Sequence, residues 1–221
     1  MTPNKAREEN LRKFSFTDNF LIEFDRAINT LSGKVNKRVQ TPGEDFQDEE
    51  LDQQARVKSG RLLRVNHCGE ICAQALYRGQ RLSSKNRKTR EFMEEAASEE
   101  IKHLEWCEKR LSELGTKPSI LNPLFYMTSF LTGVIVGMKT DKISLGFTAE
   151  TERQVMVHLN KHISSMPNED KKSIAILEQM RSDEKNHKDS AIEQGAKALP
   201  RGVKNLMSLL SKVMTKTTYW V

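Results

Sequence analysis

The chain has 221 residues, 37% hydrophobic and 30% charged, which is enough for one domain with a buried core; 11 Gly and 6 Pro are too few for a fold of many short strands and turns. A formal charge of +6 favours acidic partners, and since no aromatic and basic residues interleave as in a nucleic-acid motif, an anionic membrane surface is expected and nucleic acid is not. Three scattered Cys (Cys68, Cys72, Cys107) exclude a disulfide framework and argue against a thiolate zinc site, and the N-terminal "MTPNKAREENLRKF" lacks the apolar run of a signal peptide.

A first helix is predicted over 17–32, with Leu21, Phe24, Ile28 and Leu31 on one face, followed by a polar connector to about residue 50 that contains Pro42-Gly43. These two pieces form an N-terminal unit, 1–50, ahead of a helical bundle over 51–221. Helical periodicity runs from Leu51 or Arg61 to about Leu82. "SSKNRK" (83–88) reads as a loop, and Thr89 as the N-cap of a helix over 90–114 that Gly115 and Pro118 stop. A second pair follows: a helix to about Ser165, the turn "SMPNED" (165–170), and a helix to about Ala198, ended by Pro200. A last helix spans about 202–216. Nothing alternates as a strand would, so the chain is all-α.

Between the two pairs lies "LNPLFYMTSFLTGVIVGM" (121–138), eighteen residues without a charge. About 20 apolar residues are needed to span a bilayer, and Asn122, Pro123 and three hydroxyl residues weaken the stretch further. It reads as a crossover helix, buried or lying in a membrane surface, with Phe125, Phe130 and Ile135 as candidate lipid-facing residues. From Arg201 onward the chain has no acid, and Leu206, Leu209, Leu210 and Val213 make an apolar stripe closed by Tyr219 and Trp220. That pattern fits an interfacial helix and equally a core-packing one.

The chemistry is carried by acids and histidines at helical spacing. Glu100 and His103 form a Glu-x-x-His pair, and Glu184 and His187 form another; residues three apart project from one side of a helix. With Glu at 21 of 221 positions, five His give about half a chance match, so the motif alone is weak. Its context is stronger. Glu70 precedes Glu100 by thirty residues and Glu152 precedes Glu184 by thirty-two. The midpoints, Lys85 and Asn168, both fall in the predicted loops. In an antiparallel hairpin each Glu then faces its Glu-x-x-His at one level. Two hairpins would gather four carboxylates and two imidazoles, the ligand set of ferritin-like di-iron and di-manganese carboxylate bundles. Glu150 rivals Glu152, but apolar Val155 and Met156 beside Glu152 favour the latter as the inward residue. His67 and His158 are candidates to orient the centre, and Tyr77 to flank it; ordinary packing explains each as well.

The run "RVNHCGEICAQALYRGQ", with Asn66, His67, Gly69, Glu70, Ala73, Tyr77, Gly79 and Gln80, resembles the demethoxyubiquinone hydroxylase family of ubiquinone biosynthesis. "SEEIKHLEWC", "FTAETERQVMVHLNKH" and "MRSDEKNH" resemble its other ligand segments. The resemblance covers Leu51 to the C-terminus; Cys68 and Cys72 stand where smaller residues are expected. It implies a di-iron monooxygenase acting on a demethoxyubiquinol with a polyprenyl tail. Two iron ions would be held, one by Glu70, Glu100 and His103 and one by Glu152, Glu184 and His187, with Glu100 and Glu184 bridging. Dioxygen would be co-substrate, with an external reductant. It further implies a peripheral place on the cytoplasmic side of the cell membrane or, for a mature mitochondrial form, the inner membrane, with accessory proteins or further copies of the chain as partners. The competing readings are a ferritin-like ferroxidase or iron-binding bundle without quinone chemistry, and a bundle whose acids serve only in salt bridges.

Overall fold

The computed structural model describes residues 15–33, 40–46 and 50–221, and every regular element among them is helical. The expectations for the N-terminal segment, and for the connector at 34–39 and 47–49, lie outside the described residues. Helix α1 (Phe16–Leu31) starts at a reciprocal cap: the Asp18 N–H donates to the Ser15 hydroxyl and the Ser15 N–H to the Asp18 carboxylate. Asp52 caps α2 (Gln53–Ser83) by accepting from the Ala55 N–H. Helix α3 (Arg87–Glu113) begins earlier than expected, because Asn86 accepts from the Lys88 N–H, and Thr89 is a buried helical residue rather than the cap. Gly115, at φ 67°, ends that excursion in the left-handed region.

Helix α4 (Asn122–Gly137) is the crossover, and α5 (Asp141–Ser165) and α6 (Lys171–Glu193) make the second hairpin. Helix α6 stops short of the predicted Ala198. Gly195 turns the chain at φ 96°, and the Lys197 N–H then donates to the Lys142 carbonyl at 2.8 Å, drawing the segment back to the start of α5. Pro200 caps α7 (Arg201–Thr218).

Side-chain bonds fix the directions. Arg78 meets Glu94 at 2.7 Å across α2 and α3, and Arg181 donates to the Asn160 side-chain Oδ1 at 2.8 Å across α5 and α6, so both hairpins are antiparallel. Gln80 of α2 donates to Ser144 of α5 at 2.9 Å, and Arg110 of α3 reaches Asp170, the N-cap of α6, at 2.7 Å. Breaking a buried pair such as Arg110–Asp170 costs about 3–5 kcal/mol, so these bonds hold the register of the bundle. Leu63, Leu111, Leu159 and Leu177, one from each helix and all essentially inaccessible, fill the shared core. Each contributes about 1.5–3 kcal/mol by burial.

The three outer helices run against the simple expectation that apolar faces point inward. In α1, Leu21, Phe24 and Ile28 are exposed; the helix rests on the bundle through Ala27 and Leu31 and through Arg26, which joins Arg78 and Arg81 at Glu94. Helix α4 is not buried either. It lies along α2 on a seam of glycines, with Gly79 against the Phe130 carbonyl and Gly133 against the Leu76 carbonyl. Leu124, Met127, Leu131, Ile135 and Met138 therefore face out, whereas Phe130 turns inward to stack on Tyr126. Helix α7 also exposes its stripe of Leu206, Leu209, Leu210 and Val213, which removes the core-packing reading of that helix. No helix among the described residues is long and apolar enough to cross a membrane.

The glycine seam makes a specific demand. A Cβ at Gly133 would lie far inside contact distance of the Leu76 carbonyl oxygen and 3.1 Å from the Gln80 nitrogen, both backbone atoms of a helix that cannot yield. Gly133→Ala is expected to cost about 1–3 kcal/mol or more, a fall of roughly 2–4 °C in Tm per kcal/mol. Gly202→Ala, where the added methyl meets open space, should not lower Tm. Thermal unfolding of both variants by circular dichroism decides it, and equal melting would refute the close α2–α4 approach.

Candidate metal centre

Each helix of the bundle delivers one acid to the same level: Glu70 from α2, Glu100 from α3, Glu152 from α5 and Glu184 from α6, none more than 3% exposed. The pleasing consequence of three-residue spacing is that His103 and His187 arrive beside Glu100 and Glu184 on the same helix sides. Ligand atoms of Glu70, Glu100, His103 and Glu184 all lie within 4.8 Å of one another, as do those of Glu100, Glu152, Glu184 and His187. The two groups thus share Glu100 and Glu184. Glu150, the sequence rival, points away to Arg153, Gln154 and Lys204 and takes no part in the cluster.

The imidazoles are oriented from outside. His103 Nδ1 lies 3.0 Å from Glu100 Oε2, 3.2 Å from Glu184 Oε1 and 3.5 Å from Glu70 Oε2. One ring nitrogen carries at most one proton, so three converging carboxylates describe a place for a cation rather than for a hydrogen-bond network. His187 Nδ1 likewise faces Glu184 Oε2 at 3.1 Å and Glu100 Oε1 at 3.6 Å. The other nitrogen of each ring donates outward, His103 Nε2 to Asp183 at 3.2 Å and His187 Nε2 to Glu99. Asp183 and Glu99 each precede the shared Glu of the opposite helix, so the two helices brace one another's histidines. Such carboxylates fix the tautomer and leave Nδ1 free to ligate.

Several observations test whether a metal fits. Both oxygens of Glu152, and Oε1 of Glu100 and of Glu184, are buried and make no hydrogen bond. Buried polar atoms are rarely left so, and a cation is the partner that would satisfy them together. Four carboxylates also balance two divalent ions in charge. Carboxylate with imidazole suits a first-row metal such as iron or manganese rather than a thiolate-seeking one. With no cation, burial and the charges of Glu184 and Glu70 push the Glu100 carboxyl well up, and burial with Glu184 does the same to Glu152. Burial opposes charge on His103, but Asp183, Glu100, Glu184 and Glu70 overcome it and raise its value. His187 is raised in the same way by Glu184 and Glu99. Glu184 is the exception: burial acts to raise it, yet the adjacent imidazoles of His103 and His187 hold it down at about 2.

Other expected participants go elsewhere. His67 does not orient Glu70; its Nε2 meets Glu108 of α3 at 3.1 Å, and its Nδ1 faces Asn122 of α4 at 3.4 Å. The His158 ring lies tilted against that of His162, with centroids 3.8 Å apart, and takes no part in the cluster. Tyr77 is fully buried among Met93, Ala96 and Ala97, and its hydroxyl has no partner among the described residues. The sequence reading missed Asp183, Glu99 and Glu108, since acids in such charged runs carry no signal that separates them from solvated ones. It also missed His162, which donates from Nδ1 to Asn66 at 3.1 Å.

The fold and site together define a class: an all-α bundle with a buried, paired carboxylate–histidine cluster between two helix hairpins. Comparison narrows it. The family model described as ubiquinone biosynthesis protein COQ7 matches residues 57–218, and the chain belongs to that family. A 3-demethoxyubiquinol 3-hydroxylase of Legionella pneumophila (strain Corby) is 48% identical over 214 residues, covering 96% of this chain and all of the relative. Proteins of the same name from Marinomonas sp. (strain MWYL1) and Pseudomonas putida (strain W619) are each 50% identical, over 93% and 94% of this chain and 98% and 97% of their own.

The proton inventory of the cluster gives a pH dependence. Glu100 and Glu152, raised above 4.5 on folding, contribute stability that is full below 4.5 and lost as pH rises through their folded values. His103 and His187, raised above 6.5, act in the same sense. Glu184 opposes them only as pH falls from 4.5 toward about 2. The Tm of chelator-treated protein should therefore fall as pH is raised from 6 to 9. The increment from added Mn(II) should grow over the same range, because ligands must lose protons to bind. Parallel, flat profiles with and without metal would count against proton–metal exchange at this cluster.

Proposed function

We propose that the chain is an iron-dependent monooxygenase that hydroxylates a demethoxyubiquinol, with Glu70, Glu100 and His103 at one iron and Glu152, Glu184 and His187 at the other. The observation that carries this reading is the pair of four-residue groups with Glu100 and Glu184 common to both, the pattern expected of two ions bridged by two carboxylates. The names of the relatives favour hydroxylation over a ferroxidase role. When bound, a pair of ferrous ions supplies the redox chemistry with dioxygen that this ligand set suits. The chain's own residues do the rest. Asp183 and Glu99 hold the outer protons of His103 and His187, so that both rings present Nδ1 inward. Ala73, Leu76, Ala96 and Ala97 pack into one buried apolar group on α2 and α3, the helices that carry Glu70 and Glu100.

A polyprenyl quinol resides in a bilayer, so the enzyme has to work at its surface. The outward stripes of α4 and α7, the aromatic pair Tyr219 and Trp220, and the acid-free segment 201–221 support peripheral attachment to an anionic membrane, the protein lying on it rather than through it. The face for α4 is Leu124, Leu131 and Ile135; Phe130, which packs inward, is a poor choice for testing it.

Metal analysis of protein expressed with iron should give about two irons per chain, falling sharply in Glu184→Ala, with quinol hydroxylation reduced about a hundredfold or more. Folded wild type without iron would reduce the six residues to a network of salt bridges, and iron without hydroxylation would favour the ferroxidase reading. Separately, Leu124→Ser/Leu131→Ser/Ile135→Ser should weaken binding to anionic vesicles by about a thousandfold or more, since each side chain contributes roughly 1.5–3 kcal/mol on burial. Unchanged sedimentation with vesicles would exclude α4 as the attachment face.

A further inference from the structure

Helix α7 is turned inside out. Its apolar stripe faces outward, and its polar side, with Ser208, Ser211, Lys212, Thr215 and Lys216, roofs a groove whose floor is α2 and α5. The groove holds about 520 Å³, comparable to a small-molecule site. It does not belong to the metal centre: none of the six cluster residues lines it, and Arg153 and Gln154, the lining residues that follow Glu152, are turned to Glu150.

The lining is one-sided in charge. Arg153, Lys161, Lys212 and Lys216 border it, and no carboxylate does. Arg153 is engaged by Glu150, but none of the three lysines has a carboxylate within ion-pair distance among the described residues. A low-dielectric wall beneath uncompensated cations focuses the field and concentrates anions. The floor adds a directional group, because Nε2 of His158 is buried and makes no hydrogen bond. Burial pushes His158 down to about 4 and His162 to about 3, so at neutral pH they add no positive charge and serve as neutral hydrogen-bonding groups. The remaining lining is apolar and aromatic: Leu62, Val65 and Val157, with Tyr219 and Trp220 at the end of α7. Arg61 anchors that end, its guanidinium 4.4 Å from the centre of the Trp220 ring.

We propose that the groove between α5 and α7 binds a phosphate ester, its phosphate held by Lys161, Lys212 and His158 and its organic part lying on the Tyr219–Trp220 wall. Mobile lysine amines act as point-charge donors, and the hydroxyls of Ser208, Ser211 and Thr215 can supply neutral donors to the remaining oxygens. A soluble phosphate ester and the headgroup of an anionic lipid present the same chemistry to these residues. The site does not rest on the iron assignment, and it lies on the side of α7 opposite its exposed leucines.

The test is a calorimetric titration of the full chain with two probes, inorganic pyrophosphate and monomeric dihexanoyl phosphatidylglycerol. Wild type is expected to bind at least one; Lys161→Gln/Lys212→Gln should weaken it about tenfold or more. Lys85→Gln/Lys185→Gln removes as much charge from exposed positions elsewhere and should leave binding unchanged. Ser211→Glu, which places a carboxylate under the roof, should also abolish binding, and a circular dichroism melt checks that each variant is folded. Lysine-dependent binding of pyrophosphate supports a site for soluble esters, and of the lipid alone a headgroup site. Binding of neither probe, or equal loss in both lysine pairs, would overturn the proposal.

Discussion

Four carboxylates at one level of a dry helical bundle is the constraint on which the rest of this structure depends. Two like charges 4 Å apart repel by about 4 kcal/mol even at an effective dielectric of 20, and each acid also loses its hydration. The chain meets this with two histidines whose inner nitrogens point at the carboxylates and whose outer nitrogens are tied to Asp183 and Glu99. That arrangement is tolerable without metal only by taking up protons, which is why Glu100 and Glu152 are pushed up while Glu184 is held low between the two rings. Holding such a cluster in place requires a rigid frame. The buried Arg110–Asp170 pair and the Gln80–Ser144 bond join the hairpins on either side of it, so the free energy of the leucine core sustains an otherwise unfavourable centre.

A second constraint comes from the crossover. The chain must travel back along the bundle between Glu113 and Asp141, and α4 does so alongside α2. Gly79, Gly133 and Gly137 let the two backbones meet almost directly, with no large side chains between them. The large residues of α4 are then left on its far side. Close approach on one face and an apolar stripe on the other are therefore two results of a single packing solution. Helix α7 reaches a similar outward stripe differently, by setting its polar side over the basic groove.

The all-α class, the two hairpins and the six clustered residues were legible because they obey local rules. Helical spacing places Glu100 with His103 and Glu184 with His187, and hairpin symmetry about the loops after Ser83 and Ser165 places Glu70 and Glu152 opposite them. What was not legible depends on sign or on distant partners. Periodicity shows that Leu21, Phe24 and Ile28 share a face, but not that the face looks outward; Ala27, Leu31 and Arg26, which rest on the bundle, decide that. Asp183 and Glu99 lie in runs of charge, and their roles exist only across the α3–α6 interface. Nearness in sequence makes His67 a candidate to orient Glu70 and leaves ordinary packing open, whereas its hydrogen-bond partner is Glu108, forty-one residues away. Helix α6 ends before the predicted Ala198 because Gly195, at φ 96°, turns the chain locally ahead of Pro200, and the bond from Lys197 to Lys142 then holds the segment that follows.

The bundle consequently has two unlike sides. Toward α3 and α6, a polar cavity of about 360 Å³ lined by Glu95, Glu99, Asp183 and both cluster histidines opens to water. The outer ring nitrogens meet their carboxylates there, so protons can be exchanged with solvent without passing the carboxylate cluster. Toward α2 and α5, the outer helices α4 and α7 cover the bundle and turn leucine, isoleucine and methionine outward. For the proposed chemistry this division is useful: a hydrophobic quinol and aqueous protons need not compete for one opening. The same division explains why the small-residue seam lies on α2 rather than α3. A bulky interface there would push α4 away from the helix that carries Glu70, and with it the exposed apolar surface away from the cluster.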